Sequence, residues 1–578
     1  MSMRVVIVGG VAAGPKAACR IKRLMPEAKV TMVDRDSLIS YGGCGIPYYV
    51  GGDVADLEGL LSTSFHMVRD ANFFTKVKGL EVLTRTEVTR VDPQAKEVWA
   101  CNLDTGEEMS LPYDKLVLAT GSIPFIPPVP GKDLNNVVPV ANLHHAKTIK
   151  EMVSQGQVGT AVIVGAGATG LEMAEAMADL WGIEVHIVEA APQFLPGLAD
   201  PQMARMLEIR MAEQEDIHLH LGASLEEVLD DGQGNACGVI AGGEKIESDV
   251  VIMGCGVRPN TSLAAEASLD LNQRGAILVD DHMCTSDPDI YAGGDCVSIK
   301  SMITGEGIFM PAGSLANREG RVIGTNIAGG DARFPGASGS FCIKLFGLSL
   351  ARTGLNELQA KEAGFAARAV IVAQADRAHF HPDQKMMFLK LVVNETDRRI
   401  LGLTAVGENG DAVVGRVNAV AGLLAAKATL EDLSNLELAY SPPLGAAVDV
   451  LNSAANAAEN LLEGRLEPLA PEEFIKRLRD PQGSNTVFID TRAFANAEPF
   501  LEAFGDDWVN IPQETLRERW QEVPKDKNVV LVCNSGVRSY ESQLILKAKG
   551  YTNTVNLGGG MATMNRWAGS VLPSGDKE

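Results

Sequence analysis

The sequence predicts an α/β protein of three or four domains, and three observations predict it. A chain of 578 residues is too long for one hydrophobic core. A strand, a glycine-rich turn, a helix and a second strand occur in that order twice, near residues 4–34 and 161–190. Apolar strands running into helices return after residue 470. Apolar residues make up 46% and charged residues 22%, the balance of a soluble globular chain. The net charge of −23 argues against nucleic acid or an anionic membrane as the main partner, though a local basic pocket for a small anion remains compatible with it.

Nine cysteines are scattered without a CxxC pair. That argues against a disulfide framework or a zinc site, so no metal is expected, and it suits a reducing cytoplasm. The opening MSMRVVIVGGVAAGPKAA has an early Arg and an apolar run, but Gly9, Gly10, Gly14 and Lys16 interrupt it, and a strand–turn–helix explains it better than a leader. No run of about 18 apolar residues occurs.

In the first unit a strand from Arg4 to Val8 leads into GGVAAG and a helix through about Leu24, and the strand KVTMVD ends at Asp34. The spacing lets a carboxylate accept from ribose hydroxyls while phosphates sit on the helix N-terminus. With Gly9 first and Gly14 last, Val11 occupies the middle glycine position. The second unit is complete: Gly165, Gly167 and Gly170 precede a helix, and Glu189 ends the next strand. Glu189 would repel a 2′-phosphate, which favours NADH over NADPH. Between the units the strand LVLATGS breaks at Ala119, Thr120, Gly121 and Ser122, and later TSDPDIYAGGD delivers Gly294 and Asp295 at a strand end.

The stretch Ser40–Gly52, SYGGCGIPYYVGG, sets Cys44 among glycines that allow close backbone approach. A helix starting just after Cys44 would lower its pKa and favour thiolate. Near the C-terminus VVLV runs into Cys533, then NSGVR and a helix, a loop whose N–H groups, with Arg538, would stabilise a sulfur anion.

The order GxxxxG, ATG, GxGxxG and TxxxxIYAxGD over residues 3–455 resembles the two-dinucleotide, glutathione-reductase-like flavoprotein disulfide reductases. The resemblance implies two Rossmann-like dinucleotide-binding domains, FAD on 1–150 with 275–335 and NAD(P)H on 151–274. It also implies an α+β dimerisation domain at 336–460. Its FAD contacts fall on Gly9, Val11, Ala12, Ala13, Gly14, Asp34, Arg35 and Val88, and on Ala119, Thr120, Gly121, Gly294 and Asp295. Nicotinamide-side contacts fall on Gly165, Gly167, Gly170, Glu172 and Glu189.

With the single cysteine Cys44, the stretch SxxxCGxPYYxGG is similar to the coenzyme A-disulfide reductases and NADH-dependent persulfide reductases; oxidase and peroxidase relatives, which cycle through a sulfenic acid, share it. This branch implies coenzyme A as substrate or bound ligand, with Arg23 and Ser40 beside its phosphates and adenosine; Arg20 and Lys22 crowd the same helix as Arg23, and Lys76 would supplement a positive patch there that attracts an anionic thiol. It implies a homodimer in which Tyr440 reaches Cys44 of the partner subunit. Three positions depart from it: Gly43 stands where many relatives have Asn, Phe380-His381 where many have two tyrosines, and Ala168 where a tyrosine often gates the nicotinamide. After a linker at 461–470, residues 471–578 resemble a rhodanese domain, with Asp490 and Arg492 at its Asp-x-Arg pair. The expected activity is NADH-dependent reduction of a coenzyme A persulfide, polysulfide or disulfide through Cys44, with sulfane sulfur carried on Cys533. The alternative is an NADH oxidase or peroxidase using a Cys44 sulfenic acid.

Overall fold

The structure, a computed structural model, describes residues 2–572. It divides into two compact units, the first running to Pro192 and then from Asp216 to Ala337, the second comprising Gln193–Glu215 and the chain from Ser338 onward.

The first unit holds two five-stranded parallel sheets of the doubly wound kind. One has the order Ile290–Ala292, Lys115–Leu118, Arg4–Val8, Lys29–Val33, Glu81–Leu83. The other has the order Ile217–Leu221, Glu184–Glu189, Thr160–Val164, Val250–Met253, Val137–Pro139. The central strands are buried on both faces, which is why they read as unbroken apolar runs rather than alternating ones. In each sheet the strand order reverses at the central strand, Arg4–Val8 or Thr160–Val164, and the crevice at that switch point opens beside Gly9 or Gly165.

The domain boundaries differ from the expected 150 and 274. Val137–Pro139 belongs to the second sheet, and the chain passes between the folds where Ser122–Pro124 pairs antiparallel with Val257–Pro259. Ala264 and Leu269 already lie in the core of the first fold.

In the second unit an antiparallel sheet has the order Phe341–Leu345, Leu348–Gly354, Ile400–Gly407, Met386–Asn394, Ala367–Ala375. An alanine-rich helix spans Gly410–Ala425. Cys342 is exposed because it alternates with buried Ile343 and Leu345 and so faces the outer side of its strand. Gln193–Glu215, assigned by sequence to the second nucleotide fold, sits with this unit for an electrostatic reason. The buried ammonium of Lys390 lies 3.0 Å from Asp200 and 3.3 Å from Glu357, and Thr404 Oγ1 donates to Asp200 at 2.8 Å. Arg352 also donates to the Leu198 carbonyl at 2.5 Å. A buried ammonium must be paired, so the segment that carries Asp200 is held there.

Residues beyond 467 build a five-stranded parallel sheet, ordered Pro468–Leu469, Thr554–Leu557, Asn528–Val532, Thr486–Asp490, Trp508–Asn510. The expected linker at 461–470 is shorter than that. Helix Val450–Leu462 takes its start, Pro468–Leu469 is already a strand, and Leu466 and Leu469 are buried. This fold packs on the antiparallel sheet: Gly559 meets Ile371, and Arg566 lies 3.5 Å from Glu408.

Candidate active site

The two nucleotide folds use glycine in the same two places for the same reason. At Gly9 (φ +110°) a Cβ would lie 2.0 Å from the Ala119 carbonyl oxygen, and at Gly14 one would lie 1.9 Å from the Gly9 oxygen. In the second fold a Cβ on Gly165 (φ +106°) would lie 2.5 Å from the Gly254 oxygen, and on Gly170 2.0 Å from the Gly165 oxygen. Each helix therefore starts tight against its strand, and no side chain caps either N-terminus, at Ala12 or Gly167. The carboxylates repeat as well. Asp34 accepts from the Gly10 amide at 2.6 Å, and Glu189 accepts from Ala166 at 2.7 Å and Ala191 at 2.8 Å. Burial pushes the Asp34 pKa up against the pull of the Asp36 and Gly10 amides.

The other residues expected at the first nucleotide are spread round the same crevice. Val11 is exposed where a middle glycine would stand, and Ala13 is buried. Thr120 Oγ1 donates to the Asn260 carbonyl at 2.6 Å, Gly121 takes φ +69°, and Ser122 Oγ donates to Asp295 at 3.0 Å. Gly294 (φ +86°) donates to Glu319 at 2.6 Å. Glu319 is buried and its pKa is raised to about 7, a residue that sequence reasoning missed because nothing in its helix marks it. Val88 is buried in strand Thr86–Asp92, while exposed Arg35 faces Glu87 at 3.9 Å.

Cys44 lies in a single 3₁₀ turn, Gly43–Gly45, followed by helix Ile46–Gly51. A Cβ on Gly45 would come within 2.3 Å of Leu60 Cδ2, so any larger residue there would make the Leu60 side chain move. The short helix is gripped by the second fold: Trp181 Nε1 donates to the Val50 carbonyl at 2.9 Å, and Lys150 Nζ donates to Tyr49 O at 2.7 Å. Neither contact was legible in the sequence. The expected helix-lowered thiol pKa does not hold. Cys44 keeps solvent access, yet partial desolvation by the groups packed round it, then the charges of Glu172 and Asp295, push its thiol up, and a helix of six residues offers too little to offset them. Glu172 itself is raised to about 7 by burial and by Glu175.

Of the five residues expected to hold substrate, only Arg23 and Lys76 present their side chains to solvent. Arg20 Nε donates to Thr325 at 3.0 Å, Lys22 donates to the Pro26 and Ala28 carbonyls at its own helix end, and Ser40 is buried at φ +54°. The positive charges that do gather are Lys16, Arg23 and Lys78, each lowering the pKa of Cys19 against a larger burial effect.

In the second unit Tyr440 is exposed, together with Leu444, Val448 and Phe380. The Ala378 amide donates to the Pro442 carbonyl at 3.4 Å, which brings the Phe380-His381 loop beside that of Tyr440. The thiol of Cys533 is buried at the end of strand Asn528–Val532, receiving the Gly536 amide and the Ser539 hydroxyl, each at 3.1 Å. Ser539 was not singled out by the sequence; Arg538 is half-buried on the same helix. Asp490 and Arg492 form a buried pair at 2.6 Å, with Trp508 Nε1 donating to the same carboxylate at 3.2 Å.

Two doubly wound folds with a thiol clamped at their junction define an oxidoreductase that couples a pyridine nucleotide to sulfur. The chain belongs to the pyridine nucleotide-disulphide oxidoreductase family, whose pattern matches residues 3–312, with the family's dimerisation domain at 341–451 and a rhodanese-like domain at 470–566. It is 34% identical over 466 residues to an NADH oxidase of Methanocaldococcus jannaschii, covering 80% of this chain and all of that protein. It is 32% identical to an NAD(P)H coenzyme A polysulfide/persulfide reductase of Pyrococcus horikoshii, covering 78% of this chain and 97% of that one. A solved structure of an NAD-dependent persulfide reductase from A. fulgidus superimposes with a TM-score of 0.90 at 38% identity, covering 97% and 100% of the two chains.

The family implies FAD and NAD(P)H, and the residues fit both. Two helix N-termini are left without side-chain caps at the switch points, a Cβ on Gly167 would meet nothing within 4 Å, and a carboxylate stands at the second strand end of each fold. No helix among the described residues is long and apolar enough to cross a membrane.

Proposed function

We propose that this protein reduces a persulfide or polysulfide of coenzyme A, or coenzyme A disulfide, at the expense of NADH, with Cys44 as nucleophile and Cys533 as the carrier of sulfane sulfur. The observation that carries the reading is the presence in one chain of two differently prepared sulfurs. Cys44 is exposed beside two nucleotide folds, and Cys533 is buried under two donors that suit a sulfur anion. The activity for which the Pyrococcus horikoshii relative is named supports the substrate class.

In this reading the Cys44 thiolate attacks the substrate's S–S bond. Attack on the outer sulfur leaves a Cys44 persulfide and expels coenzyme A thiolate; attack on the inner sulfur leaves a mixed disulfide and expels hydrosulfide. Bound FAD supplies two-electron chemistry linking nicotinamide to sulfur. The net change for the persulfide, RSSH + NADH + H⁺ → RSH + H₂S + NAD⁺, is balanced. Tyr440 protonates the departing thiolate at Cys44 of the partner subunit. The apolar surface around Tyr440, with Leu444, Val448 and Phe380 exposed, supports a dimer that buries this face. The phosphates of coenzyme A are drawn to Arg23 and Lys76, and Glu189 disfavours NADPH.

Steady-state NADH oxidation by the purified protein tests the proposal, with coenzyme A persulfide, coenzyme A disulfide, oxygen and peroxide compared as acceptors. The persulfide or disulfide is expected to give the highest kcat/KM. A dominant rate with oxygen or peroxide would instead assign the activity named for the Methanocaldococcus jannaschii relative.

A further inference from the structure

The second nucleotide fold carries a histidine cluster that neither the redox chemistry nor the fold requires. Strand Glu184–Glu189 pairs in parallel with the edge strand Ile217–Leu221, His186 opposite His218 and Val188 opposite His220. Side chains alternate between the faces of a sheet, so Glu184, His186, His218 and His220 all stand on one face. The His186 and His218 rings stack at 4.6 Å between centroids, and the His186 and His220 rings at 5.3 Å. One carboxylate oxygen serves the first pair: Glu184 Oε1 lies 3.0 Å from His218 Nε2 and 3.6 Å from His186 Nε2. On its other side His186 Nδ1 is 3.0 Å from His220 Nε2.

From this arrangement we infer a binding site for a zinc-class divalent cation, with His186 Nε2, His218 Nε2 and Glu184 Oε1 as ligands. The three ligand atoms lie within 4.8 Å of one another, and bonds of about 2.0–2.2 Å close them round one ion. Two imidazoles and a carboxylate select zinc, cobalt or nickel over magnesium or calcium, which prefer all-oxygen shells. His220 is a positioning residue. Accepting the proton on His186 Nδ1, it leaves the Nε2 lone pair of His186 directed at the ion, the role an outer partner plays for a metal-bound histidine. Its ligands come from two strands that meet only in the folded sheet, so no spacing along the sequence marks the site. A cation here ties the edge strand to the strand that carries Glu189 at its far end.

The test is equilibrium dialysis of the full-length flavin-loaded protein against micromolar zinc chloride, with bound zinc counted per chain. The same count is made on Glu184→Gln and on the double variant Glu184→Gln/His218→Ala. Comparison of counts cancels zinc taken up by thiols, and retention of flavin with unchanged NADH binding shows that the variants are folded. Wild type is expected to hold one zinc more than the double variant, to show a zinc-dependent rise in melting temperature that the double variant lacks, and to lose affinity about 10- to 100-fold with its count intact on His220→Ala. Equal zinc counts in wild type and double variant would overturn the site. An unchanged affinity in His220→Ala would remove the positioning role.

Discussion

Glu172, on the first turns of the helix that opens the second nucleotide fold, acts electrostatically on Cys44 of the first. After burial, its charge is the largest influence raising the thiol's pKa. The two residues are 128 positions apart, and they are brought together because helix Ile46–Gly51 packs on helix Ala168–Trp181. Glu172→Gln removes that charge, so Cys44 should ionise at lower pH. The pH profile of Cys44 alkylation, followed by mass spectrometry of its peptide, reads this. An unshifted midpoint would show that Glu172 does not reach the thiol.

Glu172 also sets a pH dependence of stability. Its pKa in the folded protein is raised from 4.5 to about 7, so between those values the folded chain holds more protons than the unfolded one. Stability from this group is full below the lower value and falls as pH rises through the upper one. Glu172→Gln should therefore flatten the decline in urea midpoint between about pH 5 and about pH 8, and resist urea better than wild type at the upper end.

Cys44→Ser should lower NADH-dependent persulfide and disulfide reduction by at least about 10³-fold, with FAD still bound, because removing the nucleophile leaves the nucleotide cradles untouched. The flavin absorption spectrum of the purified variant checks the second half. Turnover close to wild type would refute the role of this sulfur.

Cys533→Ser should abolish sulfur transfer from thiosulfate or polysulfide and spare reduction of small disulfides. Ser539→Ala should weaken the same transfer by about 10- to 100-fold, the worth of one hydrogen bond of ~1.5–3 kcal/mol to an anion. Parallel loss of both activities in Cys533→Ser would mean that the two sulfurs do not work separately.

In the rhodanese-like fold, Arg492→Met leaves the carboxylate of Asp490 buried with Trp508 Nε1 and the Arg492 backbone amide as its remaining donors. Breaking a buried ion pair on one side costs about 3–5 kcal/mol. The unfolding transition of this part of the chain should fall accordingly, measured by the fluorescence of Trp508 and its neighbours, and the double change Asp490→Asn with Arg492→Met should recover part of the loss.

Much of the architecture could be read locally. Gly14 and Gly170 are demanded by contacts within their own βαβ units, whereas Gly9 and Gly165 are demanded by backbone carbonyls brought in from elsewhere, at Ala119 and Gly254; the two strand-end acids Asp34 and Glu189 sit at the spacing the units impose. Less could be read where a residue's environment is made by distant chain. Lys22 looked available for an anion, yet it closes its own helix end, and Ser40 looked accessible yet is buried. Charge type is local information; direction and exposure are not.

By itself, then, the order of residues determined the two nucleotide folds, the positions of Cys44 and Cys533 at strand-to-helix loops, and the Asp490–Arg492 pair, since each is specified within a few dozen residues by close backbone approach or a fixed motif spacing. Folding in three dimensions decided the rest. It set the upward direction of the Cys44 pKa, brought the Ser539 hydroxyl to the second sulfur, moved 193–215 into the second unit through Asp200 and Lys390, and gathered Glu184, His186, His218 and His220 on one sheet face. Burial and electric fields are sums over neighbours in space, and those neighbours lie far apart along the chain.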